Sequence, residues 1–335
     1  MRKATILIFA AILAQLPLAT TGSAADEVKL SFSIWQQPQH YMVKAIRHWA
    51  SEVEKRTNGK VKFEFYYGGT LTKGSQAYDG VVQGISDAAA AATGWNAGRF
   101  PLTRITDIPL GWTSSRQASL VSWDYYKKFQ PKEWDEVHLL FLYTDAIGYL
   151  HTKKPVKSID DLKGMQVRGT GSDVHLIKAM GGTPVGMPWG EVYLSLQRGI
   201  VEGMISNYAS FAAAKMPDVT DYTTEHNIRS AGFWVAMNKN KWNSLDPESQ
   251  RILNEVSQEA VAFTGQALDD AQAAGRQYVL DEGDKIIVPT DAEKARFDKA
   301  LSPIKDDWVK EVEGLGLPGK EVLDYVLKSM QQHKS

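Results

Sequence analysis

The chain has 335 residues, of which 43% are hydrophobic and 23% are charged, and its formal net charge is −1. This near-neutral balance argues against a nucleic-acid-binding protein and against attachment to an anionic membrane. The chain has no cysteine, which excludes disulfides, thiolate metal sites and cysteine nucleophiles. A chain of this length exceeds the usual size of a single hydrophobic core, so we expect two lobes.

Residues 1–25 have the three parts of a secretory signal peptide. Arg2 and Lys3 provide positive charge, an apolar segment follows, and the small residues Ser23 and Ala25 precede the predicted cleavage site. A membrane anchor is the alternative, but the apolar segment is short for a span. We therefore predict export to the periplasm. Because no second long apolar run follows, we predict no direct insertion of the mature protein into the membrane.

The first half of the mature sequence alternates between strand and helix patterns. Alternating apolar residues predict strands at 28–35 and 61–67, and a run of five alanines predicts a buried strand at 86–92. Apolar residues at helical spacing predict a helix at 40–57 and a shorter helix at 75–85. This order indicates βαβ units with a parallel sheet.

The second half repeats the alternation. The predicted elements are strands at 137–144, 165–169, 183–187, 201–206 and 232–239 and helices at 172–180 and 189–199. Asp246 and Pro247 form an N-cap and first-turn pair that starts a long helix, and this helix ends near residue 282. A last helix covers 319–331.

These elements predict an α/β fold of two lobes with parallel or mixed sheets. Lobe I is expected at 26–145 and lobe II at 146–235, and the C-terminal helices of 236–335 are expected to pack across both lobes. No linker rich in proline or glycine separates the lobes, so strands that cross between them are the predicted hinge. The long helix is expected to brace the two lobes.

Common catalytic and cofactor motifs are missing from the sequence. It lacks the glycine motif of dinucleotide-binding folds, a phosphate-binding loop, a zinc-protease motif and the nucleophile elbow of serine hydrolases. Its seven histidines have no metal-ligand spacing. These absences argue against the common enzyme classes, so we predict no catalytic residue, no metal ligand and no bound cofactor, although they leave open a catalytic site assembled from distant residues.

Arg168 lies at the end of a predicted strand, before a loop with Gly169 and Gly171. Ligands of open α/β sheets bind beyond the carboxyl ends of strands, and a guanidinium binds a carboxylate through two parallel hydrogen bonds. The glycines allow close approach of a ligand, and Ser172 is the predicted N-cap of the next helix. Because the local pattern offers no further cation, we predict that Arg168 binds a carboxylate.

The segment 158–206 resembles the solute receptors of tripartite ATP-independent periplasmic (TRAP) transporters, the DctP-type family. It contains D-L-K-G-M-Q-V-R, G-G-T-P-V-G-M and E-V-Y-L-S-L-Q-R-G-I-V-E-G in the family's order, and R-T-N-G-K-V-K-F-E-F-Y-Y-G-G in the first half agrees. The resemblance covers essentially the whole mature chain. It implies a two-lobed receptor that closes on a small organic acid and delivers it to the sodium-coupled permease subunits of the transporter.

The resemblance also implies roles for individual residues. It assigns the carboxylate clamp to Arg168 and a pocket-lining aromatic to Trp189. A family asparagine that often contacts ligand matches either Ser206 or Asn207, and its side chain favours Asn207. Some relatives have a second arginine about twenty residues before the clamp, where this chain has A-I-G-Y-L with Tyr149. This difference indicates a monocarboxylate ligand.

Aromatic residues recur at expected cleft positions, although each is also compatible with core packing. They are Trp35, Trp95, Tyr149, Trp189, Tyr208 and Phe233. Together they predict a ligand with a flat or apolar body, bound by stacking and burial. Two alternatives stay open on the sequence: a receptor of an ATP-driven (ABC) importer, and a periplasmic enzyme that acts on small carboxylates.

Overall fold

A computed structural model of the protein describes residues 27–96 and 98–334, so the proposed signal peptide lies outside the described residues. The strands are β1 (Val28–Ile34), β2 (Val61–Tyr66), β3 (Ala88–Ala92), β4 (Val137–Thr144), β5 (Gly148–Thr152), β6 (Gln166–Arg168), β7 (Thr183–Val185), β8 (Gly203–Ser206), β9 (Tyr222–Arg229), β10 (Gly232–Asn238) and β11 (Lys285–Ile287). The helices are α1 (Tyr41–Arg56), α2 (Ala77–Val82), α3 (Ser115–Phe129), α4 (Asp173–Ala179), α5 (Val192–Gln197), α6 (Tyr208–Ala213), α7 (Lys239–Ser244), α8 (Pro247–Asp281), α9 (Asp291–Leu301), α10 (Pro303–Gly314) and α11 (Gly319–Gln332).

The first sheet forms the core of lobe I and has the strand order β2-β1-β3-β10-β4. Strand β1 runs parallel to β2 and β3, whereas β10 is antiparallel to both β3 and β4. The predicted boundary placed residues 232–235 in lobe II, and this is corrected by the position of β10 in the first sheet. Both faces of β10 are apolar, with Phe233 on one face and Trp234 on the other, so the strand is buried between two layers of the lobe I core.

The second sheet forms the core of lobe II and has the strand order β11-β9-β5-β8-β6-β7. Strands β6, β7 and β8 are parallel, as the strand–helix alternation predicts, whereas β5 is antiparallel to both β8 and β9. The short strand β6 therefore has a neighbour on each side, and its carboxyl end, at Arg168, is fixed within the sheet.

The chain crosses between the sheets at two adjacent segments. One crossing, Asp145–Ile147, links β4 to β5, and the other, Ser230–Ala231, links β9 to β10. The Asp145 N–H donates to the Ala231 carbonyl at 2.8 Å, and the Ser230 hydroxyl donates to the Asp145 carbonyl at 3.1 Å. These paired crossings are the segments at which we expect a hinge, and they are called the hinge below.

Helix α8 is 35 residues long and packs on α1 and α3 in lobe I and on α6 in lobe II. Asp269 of α8 accepts the N–H of Ser115, the first residue of α3, at 2.7 Å. Gln272 accepts the N–H of Tyr208, the first residue of α6, at 2.8 Å. Side chains of one rigid helix thus cap a helix in each lobe, so α8 braces both lobes. The later helices also divide between them: α9 packs in the lobe II core, and α10 and α11 pack against α3.

Candidate ligand-binding cleft

A cleft of about 780 Å³ lies between the two lobes. Its walls come from the carboxyl ends of strands in both sheets, from the hinge and from α8. The volume falls within the range of sites for small organic ligands. Seven of the nine predicted site residues line it: Trp35, Trp95, Arg168, Trp189, Ser206, Asn207 and Phe233.

Arg168 is held at the end of β6, and its side chain turns into the cleft. The residue is only 7% exposed. Its Nε and Nη2 atoms donate to the Met187 carbonyl at 3.4 and 3.2 Å, and no carboxylate among residues 27–96 and 98–334 forms an ion pair with it. Burial lowers the pKa of Arg168 from its ordinary value. A buried guanidinium without a counter-ion is costly, and an anionic ligand would remove that cost.

Aromatic rings face the cleft from both lobes. Trp189 of lobe II lies 5.6 Å from the Arg168 guanidinium, measured to its ring centroid, and is 40% exposed. In lobe I, Trp35 stacks on Phe233 with centroids 5.5 Å apart, and Trp95 meets Trp35 edge-on at 4.8 Å. The lobe I rings therefore hold one another in fixed orientations, whereas Trp189 keeps an open surface beside the cation. This arrangement can accept a flat ligand whose anionic end reaches Arg168.

Tyr149 and Tyr208 do not line the cleft, which corrects their predicted role. Tyr208 is fully buried, its hydroxyl donates to Glu225 at 2.9 Å, and its ring packs against Tyr149 at 5.1 Å. Tyr208 begins α6, and its ring enters the lobe II core, where it belongs to an apolar cluster that includes Phe211. The aromatic character of both residues serves core packing.

Both candidates for the family asparagine position, Ser206 and Asn207, line the cleft. The Asn207 amide is already engaged within the protein. Its Oδ1 accepts the N–H of Ser210 at 2.8 Å as the N-cap of α6, and its Nδ2 donates to Asp145 at 2.7 Å. Asn207 therefore links α6 to the hinge. By contrast, Ser172 occupies the N-cap position of α4, but its side chain caps nothing there.

Three buried aspartates and a second arginine also line the cleft, and none of them was among the predicted site residues. Arg229, at the end of β9, forms an ion pair with Asp173, the first residue of α4. Asp107 accepts the Gly232 N–H at 2.7 Å, and Asp145 accepts the Tyr41 hydroxyl at 3.0 Å. Asp145 and Arg229 each stand at the hinge end of a strand, so the strand-end rule that located Arg168 had the information to locate them.

Burial shifts the pKa of several cleft groups. It raises the pKa of Asp107 to about 6 and that of Asp145 to about 6, although the nearby Arg229 guanidinium lowers both. It lowers the pKa of His40, the N-cap residue of α1, to about 4. His40 is therefore neutral at neutral pH, and the cations that line the cleft in the described part of the chain are the two arginines.

The two lobes also touch each other beside the hinge. The Tyr41 hydroxyl of lobe I lies 2.8 Å from the Ser210 hydroxyl of lobe II, and the Ser172 hydroxyl donates to Asp107 at 3.4 Å. Each contact would break if the lobes swung apart, so the structure describes a conformation in which the lobes meet around the cleft.

Two α/β lobes, paired hinge crossings and a cleft with a buried guanidinium define a two-lobed solute-binding protein. The sequence pattern of the bacterial extracellular solute-binding protein family 7 (DctP) matches residues 32–311, and the chain belongs to this family. The predicted family and fold class are confirmed.

In the described part of the chain, no helix combines the length and the apolar character needed to span a membrane. Nor do its His, Asp and Glu side chains form a group of three that could hold a metal.

Among its relatives is the outer membrane transporter protein TsaT of Comamonas testosteroni, 28% identical over 95% of this chain and 96% of the relative. A TRAP periplasmic solute-binding protein from Desulfovibrio salexigens, solved in an open complex, is 32% identical with a TM-score of 0.86, covering 92% of this chain and 97% of its own. A TRAP solute-binding protein from Rhodoferax ferrireducens with copurified benzoate is 26% identical with a TM-score of 0.85, covering 91% and 98%.

A marine metagenome TRAP solute-binding protein specific for aromatic acid ligands, solved with 3-hydroxybenzoate, is 26% identical with a TM-score of 0.86, covering 92% of this chain and 100% of its own. The three solved relatives are TRAP solute-binding proteins. The family is extracytoplasmic, and its TRAP members bind small organic acids and work with membrane permease components.

Proposed function

We propose that this protein is the periplasmic receptor of a TRAP transporter, that it binds an aromatic monocarboxylate in the interlobe cleft, and that it delivers this ligand to a sodium-coupled permease. The proposal includes cleavage of residues 1–25 on export. No cofactor and no catalytic step are part of it.

The buried guanidinium of Arg168 carries the proposal. It is 7% exposed, its hydrogen bonds go to a single carbonyl, and no carboxylate of residues 27–96 and 98–334 forms an ion pair with it. A ligand carboxylate would supply two charge-assisted hydrogen bonds and the missing counter-charge at once. The second cleft arginine, Arg229, already has Asp173 as its counter-ion, so it offers no free cation to a second carboxylate.

The aromatic surroundings of Arg168 support the second half of the proposal. Trp189 presents an exposed ring beside the guanidinium, and the Trp35–Phe233 stack faces the cleft from the other lobe. Burying a flat apolar body against these rings contributes about 25 cal/mol per Å². Related TRAP receptors hold benzoate and 3-hydroxybenzoate, which have this shape and a single carboxylate.

Isothermal titration calorimetry with matched compounds tests the ligand class. Benzoate, 3-hydroxybenzoate and mandelate should bind, cyclohexanecarboxylate should bind more weakly, and benzyl alcohol, which lacks the carboxylate, should not bind. Succinate represents the four-carbon dicarboxylates and should bind weakly or not at all. Tighter binding of succinate than of every aromatic acid, or equal binding of benzyl alcohol and benzoate, would contradict the proposal.

Mass spectrometry of small molecules released from the purified protein identifies the natural ligand without a preselected panel. An aromatic acid in that fraction is the expected result. A gene neighbourhood that encodes two membrane permease subunits without an ATPase would separate the TRAP partner from that of an ABC importer.

A further inference from the structure

The second arginine of the cleft differs from Arg168 in one respect: the protein supplies its carboxylate. Arg229 comes from the hinge end of β9, and its side chain is 17% exposed. Its partner is Asp173, whose side chain is 5% exposed. Both residues line the cleft. The pair therefore lies within the ligand compartment and not in a separate structural core.

The carboxylate of Asp173 acts on both guanidiniums. Burial lowers the pKa of Arg168 and the charge of Arg229 adds to that lowering, whereas the Asp173 carboxylate opposes it. The pKa of Arg229 is raised despite its burial, because Asp173 and, to a smaller extent, Asp145 and Asp107 lie close to it. The cleft thus contains two cations and one carboxylate that lies in the field of both. A bound monocarboxylate on Arg168 would complete a set of two carboxylates facing two guanidiniums.

Local geometry fixes Asp173 in this position. A Cβ atom added at Gly169, in the loop after β6, would lie 2.9 Å from the Cβ of Asp173 and 2.5 Å from Ile177. Any larger residue at Gly169 would therefore displace α4 and Asp173 with it. Gly169, which follows β6, has no side chain, and this leaves space for the Asp173 side chain.

The other two buried aspartates of the cleft do not contact the Arg229 guanidinium. Asp107 accepts hydrogen bonds from the Gly232 N–H and the Ser172 hydroxyl. Asp145 accepts from the Ala146 N–H, the Tyr41 hydroxyl and the Asn207 amide. Within residues 27–96 and 98–334, Asp173 is the carboxylate that forms an ion pair with Arg229.

We propose that Asp173 is the residue that restricts this cleft to monocarboxylates, because it occupies the guanidinium that would otherwise bind a second ligand carboxylate. A dicarboxylate that enters the wild-type cleft would bring its second charge against Asp173 and would be desolvated without a free partner. The inference rests on the proposed function, since it explains the selectivity of that same site.

The test is a change of selectivity in Asp173→Asn, which keeps the shape of the side chain and removes its charge. Calorimetry would compare benzoate with phthalate, isophthalate and terephthalate, which place a second carboxylate at three different positions of the same ring. The measurement is made at about pH 8, above the pKa of about 6 of Asp107 and Asp145. We expect the variant to bind at least one dicarboxylate about tenfold tighter than wild type does, as a newly available charged hydrogen bond gives.

Two controls separate this role from a general loss of negative charge. Asp107→Asn removes a cleft carboxylate but leaves the Arg229–Asp173 pair intact, so it should not gain dicarboxylate binding. The double variant Asp173→Asn, Arg229→Gln removes the freed cation and should lose the gain. If Asp173→Asn does not fold, Asp173→Ser provides the same comparison with a smaller polar side chain.

A folded Asp173→Asn protein that binds benzoate but shows no gain for any dicarboxylate would overturn the inference. Tight dicarboxylate binding by the wild type, or an equal gain in Asp107→Asn, would overturn it as well. A wild-type protein that binds none of the aromatic monocarboxylates would instead contradict the proposed function, and the dicarboxylate gain of the variant would still be measurable.

Discussion

Two arginines line the same cleft, and their surroundings give the same side chain opposite roles. Arg168 is buried against a carbonyl and an aromatic ring, with no carboxylate partner among the described residues. Arg229 is buried against Asp173, and Asp107 and Asp145 also contribute to its field. We expect the paired charge to contribute to the stability of the fold in addition to its proposed role in selectivity, whereas the unpaired charge of Arg168 is the proposed ligand contact. This difference predicts that replacing Arg229 mainly lowers the stability of the protein, whereas replacing Arg168 mainly lowers its affinity for ligand.

Loss of Arg229 should have the largest effect, and it should fall on stability. Arg229→Ala leaves Asp173 buried without a counter-ion, and breaking a buried pair in this way typically costs about 3–5 kcal/mol. Urea denaturation measures the free energy of unfolding. The double variant Arg229→Ala, Asp173→Ala should recover part of the loss, since it removes both charges. If Arg229→Ala is as stable as wild type, the pair is not structural and the contrast between the arginines fails.

Loss of Arg168 should reverse that pattern. Arg168→Ala removes a buried charge that forms no ion pair within the described part of the chain, so the ligand-free protein should be at least as stable as wild type. Binding of benzoate should weaken by about 1.5–3 kcal/mol, because a charge-assisted contact to the carboxylate is lost. Arg168→Lys should also bind poorly, since an ammonium does not present a planar pair of donors. Calorimetry that finds wild-type affinity in either variant would refute the clamp role.

Trp189 should affect affinity less than Arg168 does, and selectively. Its ring is 40% exposed beside the Arg168 guanidinium, so a bound aromatic acid would cover it. Trp189→Ala should weaken benzoate by about 1 kcal/mol and acetate or propionate by less, since small aliphatic acids cover little of the ring. Equal weakening of aromatic and short aliphatic acids by Trp189→Ala would contradict a stacking role.

The sequence predicted one side of this comparison and missed the other for a physical reason. Arg168 was predictable because local information suffices: it ends a short apolar strand, glycines follow it, and the family motif includes it. The Arg229–Asp173 pair joins a strand end to the start of a helix in a different part of the chain, and no local pattern encodes that contact. Predictions of cations near a cleft therefore do not reveal which of them are already neutralised.

The fold was predictable to a similar degree. Strand β4 matches its predicted bounds, and α8 begins at Pro247 with Asp246 as the N-cap residue that accepts the Ser249 N–H. Helix α3 was not predicted. Strand β10 was predicted as a strand, but its residues 232–235 were assigned to lobe II, because periodicity indicates a strand without indicating which sheet it joins. Tyr208 was misassigned for the same kind of reason, since an aromatic ring fits a core as well as a cleft.

The acidic side of the cleft should also give the protein a distinct pH dependence. Burial raises the pKa of Asp107 and of Asp145 from 3.8 to about 6. Between these values the folded state binds more protons than the unfolded state. The contribution of these groups to the free energy of unfolding therefore falls as the pH rises through this window, and it is fully favourable below the window.

Urea denaturation of the ligand-free protein at several pH values between about 4 and 7 measures this dependence. The double variant Asp107→Asn, Asp145→Asn should show a flatter profile than wild type, because amides do not titrate. Arg168→Ala should keep the wild-type slope, since burial and the Arg229 side of the cleft, not Arg168, set these two pKa values. If the slope flattens in Arg168→Ala but persists in the double aspartate variant, the groups that titrate in this pH range are not Asp107 and Asp145. They would then be groups whose pKa depends on the charge of Arg168, and this prediction would be wrong.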